Sequence, residues 1–339
     1  MARIAVDAMG GDYAPHEIVR GAIDVAAAHT DVEKIFLVGE QAAIEAELNA
    51  AGDWPRDRLE LVNATEVVGM DESPATAVRR KKDSSINRAV DLVKSGAAQA
   101  VFSAGNTGAA VASTTLKLRM LEGVDRPAIA TVVPSPHSPF VLLDAGATPD
   151  CTPRMLVQFA AMGSIYAQEV LGIERARVGL MSIGEEDAKG NETTKEAFRL
   201  LEKTHLNFIG NVESHDTFEG EVDVVICDGF VGNVVLKTAE SAAKAVTTWI
   251  KNEVKRRWLY QLGALIMKGA FENIRELADP AAYGGAPLLG VNGFCVIGHG
   301  SSRAKAARNG IRFAVQSVTH QVTPRLLAEV ARVNEAVAT

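Results

Sequence analysis

Cysteine, aromatic side chains, excess basic charge and long apolar runs are all sparse in this sequence, and each shortage excludes a class of protein. The three cysteines, Cys151, Cys227 and Cys295, stand far apart with no C-x-x-C pair. That odd, scattered set fits neither a disulfide scaffold nor a zinc site and leaves buried thiols as the default reading. The chain carries a net charge of -7, the reverse of the basic footprint of a nucleic-acid binder, so no nucleic acid is expected. No stretch approaches the ~18 uninterrupted apolar residues of a spanning helix. Nor is there a signal-like opening: Met1 leads almost at once into an expected strand, Arg3–Asp7, and the expected location is the cytoplasm. The fingerprints G-x-x-x-x-G-K-[ST], G-x-G-x-x-G after the first strand, G-x-S-x-G and H-E-x-x-H are missing too. A P-loop NTPase, a standard dinucleotide fold, an α/β-hydrolase and a zincin are thereby disfavoured, and no metal is implied.

What remains is a chain of 339 residues, 47% hydrophobic and 23% charged with only 5% aromatic, long enough to bury a large core without metal or disulfide. Small apolar residues let helices approach a sheet closely. Short apolar runs predict strands at Ile4–Val6, Ile35–Val38, Leu59–Val62, Ala100–Phe102, Ile129–Val133, Val141–Leu143, Val178–Met181, Val222–Cys227 and Phe294–Ile297. Helical patterns lie between many of them: Pro15–His29, Gln41–Ala50, Ser85–Lys94, Gly108–Met120, Pro153–Leu171 and Thr193–Lys203. Apolar strands alternating with amphipathic helices predict a mostly parallel sheet covered on both faces, a doubly wound α/β/α sandwich. Late in the chain Val231–Ile250 and Lys251–Leu277 read as helix, before a Gly/Pro-rich loop, Tyr283–Gly293, returns to the last strand. We therefore expect one domain over residues 1–339, with a helical insertion at about 240–280.

In a parallel sheet the ligand crevice lies beyond the carboxyl ends of the strands, so the loop after each strand is where chemistry is expected. The first strand leads into Asp7-Ala8-Met9-Gly10-Gly11-Asp12, and the fourth into Ser103-Ala104-Gly105-Asn106-Thr107-Gly108-Ala109. Later come Ser182–Glu192 with Lys189, then Asp228–Asn233 with Lys237 beyond it, and finally Gly298-His299-Gly300-Ser301-Ser302. Gly105–Gly108 and Gly298–Ser302 each have the form strand, glycine turn, helix start. Free amides and the positive end of a helix dipole favour an anion there, and glycine allows close approach. The competing reading is a tight turn with a serine cap. His299 is the only histidine flanked by glycines at a strand end, a position suited to acid/base work or phosphate contact. The run Arg79-Arg80-Lys81-Lys82 reads either as a solvated turn or as an attractor of an anionic substrate or partner. Lys251, Lys255, Arg256 and Arg257 precede an apolar stripe of Trp258, Leu262, Leu265 and Ile266. That pattern fits a helix lying on a membrane surface, or equally a dimer-packing or core helix.

Taken in order, Ile4–Pro15, Ser103–Ala109, Ser182–Glu192, Asp228–Lys237 and Gly298–Ser302 resemble the bacterial phosphate acyltransferase family, the acyl-acyl-carrier-protein:phosphate acyltransferases. The opening Asp-Ala-Met-Gly-Gly-Asp is the most specific of these stretches. The resemblance implies a homodimer with a Rossmann-like α/β/α sandwich akin to phosphotransacetylases. It implies reversible transfer of a fatty acyl group from acyl carrier protein to inorganic phosphate, with no cofactor and no metal. The acyl phosphate would feed phospholipid synthesis through a membrane glycerol-3-phosphate acyltransferase, the protein being peripheral on the inner face of the cell membrane through about Lys251–Phe271. The expected catalytic residues are Lys189, Asn233 and His299. Substrate would be held by Asp7, Gly10, Gly11, Gly105, Asn106, Thr107, Gly108, Asp228, Lys237, Ser301 and Ser302. Alternatives are a phosphate acetyl- or butyryltransferase using coenzyme A, a dehydrogenase of related architecture, and a non-catalytic membrane-associated scaffold.

Overall fold

The computed structural model describes residues 1–277 and 284–338. Residues 278–280, the expected end of the helical insertion, and Tyr283, the expected start of the Gly/Pro-rich loop, lie outside the described residues. The chain begins β1 (Ala2–Asp7), α1 (His16–Ala28), β2 (Val32–Gly39), α2 (Gln41–Ala51), β3 (Leu59–Asn63), α3 (Pro74–Arg80), α4 (Ser85–Lys94), β4 (Ala100–Ser103) and α5 (Thr107–Leu118). It continues β5 (Ala128–Ile129), β6 (Thr131–Val133), β7 (Phe140–Leu143), α6 (Pro153–Leu171), β8 (Val178–Met181), α7 (Glu192–Leu201), β9 (Phe208–Val212), α8 (Asp216–Glu219) and β10 (Val224–Ile226). Then come α9 (Gly229–Lys255), α10 (Trp258–Ile266), α11 (Lys268–Leu277), β11 (Ala286–Leu289), β12 (Phe294–Ile297), α12 (Ala304–Thr319) and α13 (Val322–Val337).

The fold is mixed α/β with mostly parallel strands, as the alternation predicts. The strands divide between two sheets, ordered β3-β2-β1-β4-β12-β11-β5 and β6-β7-β10-β8-β9. Among the described strands β11 pairs antiparallel with β12 and β5, and β6 with β7; the other pairs are parallel. In β1, Ile4 and Val6 join a core with α1 and α12, while Ala5 joins another with α3, α4 and α5. Side chains alternate across a strand, so a strand apolar at every position must be covered on both faces. The second sheet packs α6 and α7 on one face, with α13 behind α6. On its other face Phe140, Leu142 and Val225 form a smaller cluster under the first turns of α9.

The expected strand Ile129–Val133 is where the chain changes sheets. It breaks at Ala130, whose N–H donates to the Pro287 carbonyl at 3.0 Å. Asp144, fully buried, holds the junction together. Its Oδ1 accepts from the amides of Ile129 (2.8 Å), Gly146 and Ala147 (both 3.0 Å), and its Oδ2 from Thr148 (2.6 Å). Burial raises the Asp144 pKa, and these four amides act against that rise.

The late helical excursion has an unusual surface. The first turns of α9 bury Gly229 and Gly232 against the second sheet, but the helix runs on for 27 residues, about 40 Å. α10 packs against α9, and α11 against α10. Trp249, Trp258, Leu265 and Ile266 are all at least two-thirds exposed, from 68% to 80%. Among the described residues no helix is long and apolar enough to cross a membrane.

Candidate active site

β1, β4 and β12 are adjacent parallel strands, with Asp7 in register with Ser103 and Ser103 with Ile297. Their carboxyl ends therefore lie side by side, and the three loops they launch meet. Asp7 Oδ2 accepts from the Ser103 hydroxyl at 2.7 Å, and the Gly105 N–H donates to the same hydroxyl oxygen at 3.2 Å. The Asp12 N–H donates to the Gly300 carbonyl at 2.8 Å, binding the first loop to the last. Gly10 permits this convergence, because a Cβ there would stand 2.7 Å from the Gly105 nitrogen and 2.8 Å from Asp7 Oδ2. Gly11 sits at φ 110°, a conformation glycine adopts without strain, with its α-carbon facing the Gly300 and Ala104 carbonyls.

Asp7 is buried, and desolvation raises its pKa against the lowering effect of its hydroxyl partners. Among the described residues its Oδ1 has no hydrogen-bond partner. It borders a cavity of about 10 Å³ shared with Gly10, Ser85, Ser103 and Gly105, room for roughly one water molecule.

The helix launched by β4 shows how its start is built. Asn106 caps α5, its Oδ1 accepting from the Ala109 amide at 3.0 Å. Its Nδ2 donates to the carbonyls of Gly69, Met70 and Glu72 at 3.1–3.2 Å, pinning the 69–72 loop over the helix start. The Asn106 carboxamide is thus fully engaged, and what it offers a ligand is its backbone N–H. Among the described residues the amides of Thr107 and Gly108 have no partner either. The start of α12 differs, since the Ala304 amide already donates to Glu17 Oε2 at 2.7 Å.

His299 is exposed beside this turn. Its Nδ1 lies 2.8 Å from the Ser301 hydroxyl and accepts from the Ser301 backbone N–H at 3.2 Å. A backbone amide can only donate, so the neutral ring carries its proton on Nε2 and presents it outward. Ser302 is buried, its amide donating to the His299 carbonyl.

The second sheet contributes a separate set of loops. Asp228 caps α9 by accepting from the Val231 amide at 2.7 Å. Gly232 lies against the junction so closely that a Cβ would fall 1.9 Å from the Asp144 carbonyl oxygen. Asn233 is exposed beside Gly146, and among the described residues its carboxamide has no hydrogen-bond partner. Lys237 pairs with Glu240 at 2.9 Å on the helix surface, and Lys189 lies 3.9 Å from Glu186 on the loop after β8. The structure therefore brings together Asp7, Gly10, Gly11, Gly105, Asn106, Thr107, Gly108, His299, Ser301 and Ser302. It places Asp228 and Asn233 by the sheet junction, Lys237 on the α9 surface and Lys189 on the loop after β8. No hydrogen bond or ion pair among the described residues links Lys189 to His299.

Between the two sets lies an open cavity of about 690 Å³, bounded by α3, α5, Arg126–Pro127 and the Ala147–Asp150 loop. Gly108 lines it from the first set and Thr148 from the second. Ser103, named in its loop, is absent from the expected site residues, and Asp144, Arg126 and Thr148 carry no expectation from the sequence. Asp144 had a usable signal: Asp144-Ala145-Gly146 comes after a strand just as Asp7-Ala8-Met9-Gly10 does.

Burial pushes the Cys151 and Cys295 thiols up to about 12 and raises Cys227 as well, so none supplies a thiolate at neutral pH. Elsewhere Glu185, His215 and Asp216 place ligand atoms within 4.8 Å of one another. Asp216 is already engaged there, by the Glu213 amide at 2.7 Å and by His215 at 3.0 Å.

Known proteins share both sequence and fold with this chain. The profile of the family described as "Fatty acid synthesis protein" matches residues 2–325. A phosphate acyltransferase from Heliobacterium modesticaldum is 54% identical over 316 residues, covering 93% of this chain and 94% of that protein. One from Pelotomaculum thermopropionicum is 50% identical over 323 residues, covering 94% and 92%. Among solved structures, a phosphotransacetylase from Streptococcus pyogenes matches with a TM-score of 0.61 at 16% identity over 94% of each chain. The EutD phosphotransacetylase from Staphylococcus aureus gives 0.60 at 15%, also over 94% of each. At such low identity the solved structures speak for the fold alone.

Proposed function

Because the chain belongs to the family of fatty acid synthesis proteins that includes the phosphate acyltransferases, and is an acyltransferase acting on phosphate, we propose that its donor is a long-chain acyl-acyl carrier protein. An oxygen of orthophosphate attacks the thioester carbonyl, a C–O bond forms, the C–S bond breaks, and the carrier leaves as thiolate to be protonated. The products are acyl phosphate and free carrier thiol, and the reaction is reversible.

Phosphate needs holding more than activating, and orientation alone is worth ~7–11 kcal/mol of barrier. The unpartnered amides of Asn106, Thr107 and Gly108 at the α5 start are the single observation that carries this reading. They offer donors and a positive dipole end to an anion, with Ser301 alongside. The outward Nε2–H of His299 then faces the developing oxyanion or protonates the leaving sulfur. Asn233, with a free carboxamide, and Lys189 supply further donors from the second sheet. Asp7, Gly10 and Gly11 shape the turn, while Asp228 and Lys237 serve the α9 start, the first as its cap. No cofactor or metal enters this scheme.

The arm formed by α9–α11 suits a membrane surface. Trp258, Leu265 and Ile266 are exposed on a segment that also carries Lys251, Lys255, Arg256 and Arg257, an arrangement that favours anionic lipid headgroups. In this reading a homodimer attaches peripherally through about Lys251–Phe271 and passes acyl phosphate to a membrane glycerol-3-phosphate acyltransferase.

The test is phosphate-dependent release of carrier thiol from a long-chain acyl-acyl carrier protein, with acyl phosphate detected directly and the same preparation sedimented with anionic vesicles. Faster turnover of acyl-coenzyme A at equal concentration would move the assignment to a coenzyme A-dependent transacylase. Formation of no acyl phosphate from either donor would leave the scaffold reading.

A further inference from the structure

The cavity between the two sets of loops is built for a donor that is anionic at one point and otherwise neutral. Arg79 from α3 and Arg126 from the segment before β5 both line it. Neither side chain makes a hydrogen bond or ion pair among the described residues, whereas Lys81 of the same basic run is spent on Glu72 and on the Val67 carbonyl. The one acidic side chain on the wall is Asp150, so cations outnumber carboxylates two to one. Pro74, Val111, Leu116 and Pro127 make much of the rest apolar. The volume, about 690 Å³, suits a ligand of moderate size, since such sites span ~300–1,000 Å³. Gly108, at the α5 start, stands on the same wall, so the cavity reaches one of the three residues whose amides hold phosphate in the proposed reaction.

We infer that Arg79 and Arg126 grip the phosphate ester of a 4′-phosphopantetheine arm in the cavity between α3, α5 and the Ala147–Asp150 loop, with the thioester end of the arm lying toward Gly108. The guanidinium fork matches phosphate oxygens, and a weakly hydrated cation on an apolar wall keeps that interaction strong. The apolar stretch receives the methylene and amide portion of the arm. This inference rests on the proposed thioester chemistry. It adds the point that the arm is recognised by its phosphate, whether a carrier protein or coenzyme A bears it.

The experiment measures binding of free 4′-phosphopantetheine and of pantetheine to the full chain by calorimetry, for the wild type and for Arg79→Ala and Arg126→Ala. Wild type should bind the phosphorylated arm at least about ten-fold more tightly, the scale of one charge-assisted hydrogen bond. Each variant should bring that ratio close to one, with Arg79→Lys recovering part of it. In steady state both variants should show a raised KM for acyl-acyl carrier protein and for acyl-coenzyme A alike, with the KM for orthophosphate unchanged.

A wild-type ratio of one, or a ratio indifferent to both substitutions, overturns the inference. So does a raised orthophosphate KM, which would make this the acceptor site. A rise confined to the carrier-protein donor would put the arginines on the carrier's own surface, and one confined to coenzyme A on its nucleotide; either outcome overturns the inference. Failure of the wild type to make acyl phosphate from any thioester would instead overturn the proposed function, and the calorimetry reads out independently of that. Both arginines are exposed, so their removal leaves the fold intact, as unchanged thermal unfolding would show.

Discussion

The helices α5 and α12 both start at glycine turns on neighbouring strands of one sheet, yet their first amides are used differently. At α5 the side chain of Asn106 is consumed in holding the helix start and the 69–72 loop, so three backbone amides stay open. At α12 the Ala304 amide is closed by Glu17, and the turn instead presents a histidine whose tautomer is set by Ser301. On the proposed reading two turns of the same form divide the work, one offering an anion cradle and the other a proton.

The largest effect that would test this division is on turnover. His299→Ala should lower kcat about 100-fold or more, because one donor to a developing oxyanion is worth ~2.7–4 kcal/mol. It should leave the phosphate KM close to that of the wild type. A loss under ten-fold in acyl phosphate formation would remove the proton role from the α12 turn.

Next in size is the contrast between caps. Asn106→Ala removes a helix cap together with three loop bonds, and by the usual cost of a cap should lower stability by ~1–2 kcal/mol. It should also raise the phosphate KM as the cradle loosens. Glu17→Gln, at the other turn, should cost less than ~1 kcal/mol in denaturant unfolding and leave the phosphate KM alone. Equal effects of the two substitutions on that KM would erase the distinction drawn between the turns.

The smallest effect is a pH dependence beneath the α5 turn. Burial raises the Asp7 pKa above its ordinary value of 3.8, so the folded chain binds this proton more readily than the unfolded one. Stability from this group therefore falls as pH rises from the ordinary carboxylate range through the raised folded value, and the whole penalty is present above it. Asp7→Asn keeps an acceptor for Ser103 and removes the penalty. It should raise the melting temperature at pH 7, with the gain fading as pH drops toward the ordinary value. A variant that melts lower at pH 7 would show that the charge is compensated in the fold.

Much of this architecture was legible in the chain. β1, β4 and β12 are apolar at nearly every position, which only burial on both faces explains, and their carboxyl-end glycines marked where the loops meet. β11 was hidden because Pro287 and its glycine-rich surroundings read as loop. Pro287 is tolerated because its carbonyl, not a missing N–H, serves the Ala130 amide. β9 was hidden by Gly210, at φ 105°, and Asn211 in a half-exposed edge strand. The division into two sheets turns on one residue, Ala130, within a run that reads as a single strand.

The candidate site was legible in its residue types but not in their availability. Asn106 looked like a phosphate ligand, and nothing local shows that the 69–72 loop claims its carboxamide. Arg79 and Arg126 lie far apart in the chain with no shared pattern, and only the packing of α3 beside α5 and the segment before β5 brings them to one cavity. By itself the order of apolar runs, caps and glycines determined an α/β fold with its candidate-site loops at the strand ends, because periodicity and turn chemistry are local. Which amides stay open, which cations stay unpaired and where two sheets part were decided by tertiary structure, because each depends on partners that arrive from distant parts of the chain.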